Sequence, residues 1–192
     1  MRKLEIIAYL AGALRDASLD KKSFHIFSVS EGWLENVRKM LGKLGINAKI
    51  YKLTRGYWKI KFPRGKIEKL LNFLEFKVPQ TNWKTPSWIN YSPLEIKKWY
   101  IAGFFDAEGC VSLSNKKYVN LEFYQANRLV LQDLKKFLSQ LNIRTTKIVK
   151  RKGRKLFCLR ITNEDGIQLF KKKIPLLHPK KIKKLFSYTK AP

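Results

Sequence analysis

The sequence repeats itself once, and the repeat limits the fold more than any single motif does. Ile7-Ala-Tyr-Leu-Ala-Gly-Ala-Leu-Arg-Asp-Ala-Ser18 resembles Lys98-Trp-Tyr-Ile-Ala-Gly-Phe-Phe-Asp-Ala-Glu-Gly109, and Leu41-Gly-Lys-Leu-Gly-Ile46 resembles Leu138-Ser-Gln-Leu-Asn-Ile143. Tyr57-Trp-Lys-Ile-Lys-Phe62 answers Leu156-Phe-Cys-Leu-Arg-Ile161. The spacing drifts from 91 residues (Gly12 to Gly103) through 97 (Ile46 to Ile143) to 100 (Pro79 to Pro179), as small loop insertions in the second copy would produce. A repeat this long is a duplicated domain, because solenoid units are much shorter. Apolar periodicity gives each copy the order helix, two strands, helix, two strands, helix. The chain therefore reads as α+β, with two pseudo-symmetric αββαββα repeats at residues 1–78 and 93–192. A linker rich in Pro, Thr, Asn and Ser joins them at 79–92.

In the first copy the pattern predicts a helix over Glu5–Ala17 and a strand over Ser23–Val29. A second helix carries Trp33, Val37, Leu41 and Leu44 on one face and stops at Gly45. A hairpin of Ala48–Leu53 and Tyr57–Phe62 follows, then a closing helix through Ile67, Leu70, Leu71 and Leu74. In the second copy Ser92-Pro93-Leu94-Glu95 reads as a capping box, before a helix running to about Ala107 and stopping at Gly109. Asn127 and Asn163 read as N-caps, and Arg151-Lys-Gly-Arg154 as a hairpin turn.

Charge narrows the partner. Forty-one Lys and Arg stand against 14 Asp and Glu, a formal net charge of +27, while 45% hydrophobic content excludes a disordered basic tail. Residues 144–192 alone hold 16 Lys and Arg against Glu164 and Asp165, yet their apolar periodicity continues. A folded chain with this excess meets a polyanion, and nucleic acid is the default. A heat-adapted surface would enrich Glu along with Lys, and acids are scarce here. No apolar run reaches the roughly 18 residues of a membrane span, and Met1-Arg-Lys-Leu-Glu5 is no signal peptide. Cys110 and Cys158 form no CxxC pair, which argues against a zinc site and for a reduced, intracellular setting.

The two repeated helices carry small residues four apart: Ala8 and Gly12 in the first, Gly103 and Ala107 in the second. Glycine inside a helix costs about 1 kcal/mol relative to alanine, so its place suggests close packing of the two helices. Their C-terminal carboxylates would then converge, facing the unfavourable end of each macrodipole and each other. Divalent cations relieve both conflicts. Oxygen ligands with open water positions suit Mg²⁺, which can clamp the attacking and leaving oxygens of a phosphodiester. Two packed helices with an incidental surface Glu are the plainer alternative.

Tyr100-Ile-Ala-Gly-Phe-Phe-Asp-Ala-Glu-Gly109 resembles the signature of the LAGLIDADG homing endonucleases, in the single-chain, two-motif form known from archaeal introns. The resemblance implies motif helices at the interface between halves and a saddle-shaped antiparallel sheet in each half, set against the DNA major groove. It implies site-specific cleavage of both strands of a long duplex site by a monomer, with one acid per motif and two or three Mg²⁺ ions between the repeats. Glu108 takes the position of the metal-binding, catalytic acid in the second motif. Without gaps the first motif puts Ala17 there, which offers only its main chain. A one-residue slip would bring Asp16 into place, with Ala11 in the glycine's role and Arg15 turned away; Asp20 is the other acid nearby. Relatives carry Gln then Lys on a strand near the centre; Gln125 is kept without its Lys, and Val29-Ser30 keeps neither. Lys84 and Lys180 are then the candidates, with Gln125, for activating the scissile phosphate.

On strand Tyr57–Phe62, Trp58, Ile60 and Phe62 share one face while Lys59 and Lys61 share the other. Phe157, Leu159 and Ile161 likewise oppose Cys158 and Arg160, and Lys147, Val149 and Arg151 alternate with Thr146, Ile148 and Lys150. The candidate DNA contacts are Lys49, Arg55, Lys59, Lys61, Lys116, Lys117, Lys147, Arg151, Arg154 and Arg160. His25 joins that face or is simply solvated, His178 reads as a loop residue, and Trp83, Trp88 and Trp99 read as interdomain core. Rival readings on the same scaffold are a maturase binding intron RNA and a decayed endonuclease that only binds; a general RNA-binding protein explains the charge alone.

Overall fold

Unbroken runs of apolar and small residues make α1 (Lys3–Ala13) a helix without a wet face: every residue from Ile6 to Ala13 is buried. Helix α4 (Leu94–Glu108) is likewise buried from Tyr100 to Asp106. Helices apolar all round belong in the middle of a core. The computed structural model describes residues 1–19, 23–65, 70, 73–75, 82–114 and 118–187, and packs α1 and α4 together at the centre. Outside them lie β1 (Ser18–Leu19), β2 (Ser23–Ser28), α2 (Glu31–Lys43), β3 (Lys49–Lys52) and β4 (Trp58–Pro63) in the first half. A short α3 (Ser87–Tyr91) precedes α4; β5 (Gly109–Ser114), β6 (Tyr118–Gln125), α5 (Arg128–Gln140), β7 (Val149–Lys150) and β8 (Phe157–Ile161) follow it. Helices α6 (Glu164–Lys173) and α7 (Pro179–Ser187) complete the described elements.

The strands form two four-stranded antiparallel sheets of identical connectivity, β1-β2-β4-β3 and β5-β6-β8-β7. Equivalent positions also end equivalent helices. Gly45 (φ +75°) follows α2 while Ile46 donates back to Leu41 at 3.0 Å; Asn142 (φ +60°) follows α5 while Ile143 donates to Leu138 at 2.9 Å. Gly and Asn are the residues that tolerate this left-handed C-terminal turn. Asn127 and Asn163 cap α5 and α6, accepting from the Leu129 and Gly166 amides at 3.0 and 2.7 Å.

Several expectations need correction. The strand over 23–29 ends at Ser28, and the segment read as linker contains α3. Ser92 is not the capping hydroxyl of α4. It donates to the Trp88 carbonyl at 2.9 Å, because α3 ends just before it and leaves that carbonyl open, and Glu95 pairs with Lys98 instead. His178 is a loop residue but a buried one, stacked 5.4 Å from the Trp33 ring. In the closing helix of the first half Leu70 and Leu74 are buried; Ile67 and Leu71 lie outside the described residues, as do Asp20, Pro79, Lys116 and Lys117. No helix among the described residues is long and apolar enough to cross a membrane.

Candidate functional site

Glycine lets α1 and α4 cross at backbone contact. A Cβ built on Gly12 would overlap the Phe104 amide and Tyr100 carbonyl; one built on Gly103 would overlap the Tyr9 carbonyl and stand 3.1 Å from the Ala13 amide. The pairs are reciprocal, since Tyr9 and Ala13 lie 91 residues before Tyr100 and Phe104. This fixes the ungapped correspondence at the crossing. Gly12 therefore keeps the glycine's role, and Ala11 does not take it over. Ala8 is fully buried and Ala107 half-buried beside this crossing.

Beyond the crossing the two motifs part. Helix α4 stays α-helical through Glu108, whereas α1 ends at Ala13 and tightens into a 3₁₀ turn over Leu14–Asp16, with Ala17 already extended at φ −79°, ψ 132°. The helix expected to reach Ala17 thus ends earlier and winds tighter. An α-helix rises ~1.5 Å and turns ~100° per residue, and a 3₁₀ helix ~2.0 Å and ~120°. Position 16, four residues past Gly12, then reaches ~7.5 Å along the axis, the same depth as Glu108 five residues past Gly103. The tighter winding also carries position 16 ~60° further round the axis than an α-helix would, toward the azimuth of Glu108. Gly109 closes α4 because a side chain there would overlap Phe105.

Arg15 and Asp106, 91 residues apart and so at the same repeat position near the two helix ends, carry opposite charges. Asp106, 1% exposed, accepts from the Tyr9 hydroxyl and from the Leu177 amide, both at 2.7 Å, while Trp33 donates to Tyr9 at 2.8 Å. Arg15, also 1% exposed, donates to the Tyr100 hydroxyl at 3.2 Å and to the carbonyls of Trp83 and Lys84 at 2.8 and 2.5 Å, and lies 4.9 Å over the Trp83 ring. So Asp106 fastens the segment before α7 by an N–H, and Arg15 fastens the segment before α3 by two carbonyls. Arg15 does turn away, into the core. Trp99 meets Tyr9 edge-on and Trp88 is half-buried.

Burial raises the Asp106 carboxyl to about 6 from its ordinary value near 3.8, against the lowering effect of Tyr9 and Leu177, and its Oδ1 has no hydrogen-bond partner among the described residues. Its neutral form is favoured, so its contribution to stability, about 3 kcal/mol at 1.36 per pK unit, is full below pH 3.8 and lost as pH rises through about 6. Burial holds His178 down to about 4; its contribution runs the other way, full above 6.5 and lost as pH falls toward 4. The two slopes oppose each other. In Asp106→Asn, destabilisation between pH 6.5 and 4 should steepen, measured by denaturant unfolding at stepped pH. A profile parallel to that of the unsubstituted chain would remove Asp106 from this role.

Sequence reasoning missed Lys181. From α7 its Nζ donates to the carbonyls of Phe105 and Asp106, both at 2.8 Å, and of Ala107 at 3.4 Å. A cation there offsets the negative end of the α4 macrodipole beside Glu108. The neighbouring Lys180 instead donates to the Val29 carbonyl at 2.5 Å. The Lys84 side chain is exposed, and the Gln125 side chain accepts from the Ala126 amide at 2.7 Å.

The outer faces of the sheets differ. In the first, Lys49, Lys61 and His25 form one cross-strand row and Tyr51, Lys59 and Phe27 the next. Like charges directly opposite are destabilising unless a polyanion covers them. In the second, Glu122 lies opposite Arg160 and Tyr124 opposite Cys158, which is buried even on this face. The second face is thus less basic than the first at its centre, where Arg160 Nε donates to Glu122 at 2.7 Å. Arg55, Lys147, Arg151 and Arg154 are exposed; Arg151 lies 5.1 Å from the Tyr124 ring.

Two packed repeats, each delivering a glycine-bearing helix to the shared interface and an antiparallel sheet beside it, define a class. The model of a WhiA LAGLIDADG-like domain matches residues 7–84 and that of a LAGLIDADG-like domain matches residues 95–175, so the chain belongs to the LAGLIDADG family, with two such domains in one chain. Among individual proteins, it is 29% identical to homing endonuclease I-ApeI of Aeropyrum pernix, over 92% of this chain and 84% of that protein. Its fold is similar to I-DmoI in complex with DNA and Mn, with TM-score 0.65 and 18% identity over 90% of this chain and 97% of that one. It is also similar to full-length WhiA from Thermatoga maritima, with TM-score 0.66 and 16% identity over 100% of this chain and 62% of that one.

Proposed function

We propose that the chain is a monomeric, divalent-metal-dependent endonuclease that binds duplex DNA with the outer faces of both sheets and hydrolyses one phosphodiester per strand at a specific site. The carrying observation is the reciprocal glycine crossing, which packs the two motif helices backbone to backbone, each leading into its own antiparallel sheet. The halves are 1–78 and 93–192. Similarity to a homing endonuclease over most of the chain supports the activity.

The residues fit a hard cation. Asp16 and Glu108 are carboxylates at the C-terminal ends of the two crossing helices, oxygen donors of the kind such an ion takes. Glu108 and Asp16 would hold the metal, with the Ala17 main chain and Asp20 as the alternatives in the first motif. Bound there, Mg²⁺ would activate water and offset charge on the phosphate. The chain's own groups orient the duplex: lysines and arginines of the sheets neutralise phosphates, Lys181 stabilises the end of α4, and Lys84 is the exposed candidate for the scissile phosphate, with Lys180 and Gln125 candidates only on release from the Val29 carbonyl and the Ala126 amide.

The test is a plasmid carrying the uninterrupted host sequence around the reading frame. With Mg²⁺, linear product is expected; with excess EDTA, intact plasmid bound by the protein. Cleavage that persists in EDTA, or none at that site, would refute the reading. A binding-only protein, on DNA or on intron RNA as a maturase, is the second reading. Ala17 at the ungapped position and the WhiA-type match of the first half favour it; tight complexes without cleavage would decide for it.

A further inference from the structure

The second sheet carries an acid in the middle of the surface that should meet a polyanion. Glu122 is 8% exposed and both its oxygens are taken: Oε1 accepts from Arg160 Nε and Oε2 from the Tyr124 hydroxyl, each at 2.7 Å. Burial, then Glu122 itself, pushes the Tyr124 phenol up to about 12, so it remains a donor at neutral pH. The backbone fixes the other end of the pair, since the Arg160 N–H donates to the Thr146 hydroxyl oxygen at 3.2 Å and the Arg160 carbonyl accepts from the Thr146 N–H at 2.9 Å. The Arg160 side chain is 40% exposed, with Nε committed to Glu122 and the guanidinium also beside the Cys158 thiol.

Two uses of this pair can be told apart by chemistry. Paired with Glu122, Arg160 adds little net charge to the face, which makes it a weak clamp on phosphates, whose binding depends on uncompensated charge. A guanidinium held at Nε presents its remaining edge as a rigid two-donor fork, the geometry that matches O6 and N7 of guanine in the major groove. Glu122 itself is no reader of cytosine, because its acceptors are occupied. The first sheet is the contrast. Its described strands hold no acid, and Lys49, Lys59 and Lys61 are flexible point charges flanked by the exposed aromatics Phe27 and Tyr51.

Resting on the duplex-binding reading above, we infer that the two halves divide recognition: the N-terminal sheet supplies sequence-tolerant affinity, and in the C-terminal sheet Arg160, set by Glu122 and Tyr124, reads a guanine. Arg160 is the specificity-determining residue and Glu122 its positioning residue.

The experiment selects from a library of randomised DNA duplexes with the unsubstituted chain, Arg160→Lys, Glu122→Gln and Lys61→Ala. For Arg160→Lys, which keeps the charge, preference for guanine at one position should fall roughly 10- to 100-fold with the rest of the enriched sequence unchanged. Glu122→Gln, nearly isosteric and so expected to fold, should relax the same position. Lys61→Ala should weaken all sequences alike and lower the salt slope of binding by about one. If Arg160→Lys and Glu122→Gln leave every positional preference intact while the unsubstituted chain enriches a sequence, this inference fails and duplex recognition stands. If the unsubstituted chain enriches nothing, both fall together.

Discussion

Gly103→Ala is expected to destabilise the protein by about 3 kcal/mol, although alanine is the better helix former by about 1 kcal/mol. Overpacking usually costs about 1–3 kcal/mol, and the upper end applies when nothing can move aside. Here the obstacle is main chain: the Tyr9 carbonyl and the Ala13 amide of α1. Neither can rotate away, so the helices must part, and Tyr9, Ala13, Tyr100 and Phe104 lose packing together. Gly12→Ala meets the Phe104 amide and Tyr100 carbonyl and should behave alike. Gly42 in α2 is the internal control, with nothing near its missing Cβ; Gly42→Ala should stabilise by up to about 1 kcal/mol. For a chain of this size each kcal/mol moves Tm by about 2–4 °C, so calorimetry on the three variants should separate them by sign. A neutral or stabilising Gly103→Ala would mean that the helices do not cross where the structure has them.

That crossing was legible from sequence because a glycine and an alanine four apart clear one face of a helix for a second backbone, and because the pattern occurs twice. The strand faces were legible for a similar reason: Trp58, Ile60 and Phe62 alternate with Lys59 and Lys61, and period-2 patterning states the pleat directly. What escaped depended on partners far away in the chain. Lys181 meets carbonyls about 75 residues earlier, and Arg160 finds Glu122 38 residues back. One lysine in a run, or one acid in a strand, carries no local mark of such a contact. The 3₁₀ turn escaped for a different reason. Leu14-Arg-Asp16 has no Gly or Pro to break a helix; the burial of Arg15 against Trp83 and Lys84 accompanies the tighter winding, and propensity does not contain it. Asp106, two residues before Glu108, has no local mark either. Its role comes from Tyr9 and Leu177, which are 97 and 71 residues away.

Glu108→Gln should abolish cleavage while leaving duplex binding intact. Replacing groups that merely orient a metal ligand costs about 10–100-fold, so losing a ligand itself should cost at least about 100-fold. The amide keeps the shape of the side chain at the end of α4 and removes only the charge that would hold the cation, so a gel-shift titration should be unchanged while plasmid cutting disappears. Cutting retained within a few-fold would remove Glu108 from catalysis. The first motif offers a sharper contrast. If the 3₁₀ turn sets its register, Asp16→Asn should match Glu108→Gln, and Asp20→Asn should cut normally. Adding Ala17→Asp to Asp16→Asn should not restore cutting, because residue 17 is already extended and 2% exposed. If the added carboxylate did restore cutting, the ungapped register would govern the chemistry as well as the packing, and the turn would be a consequence of Arg15 alone.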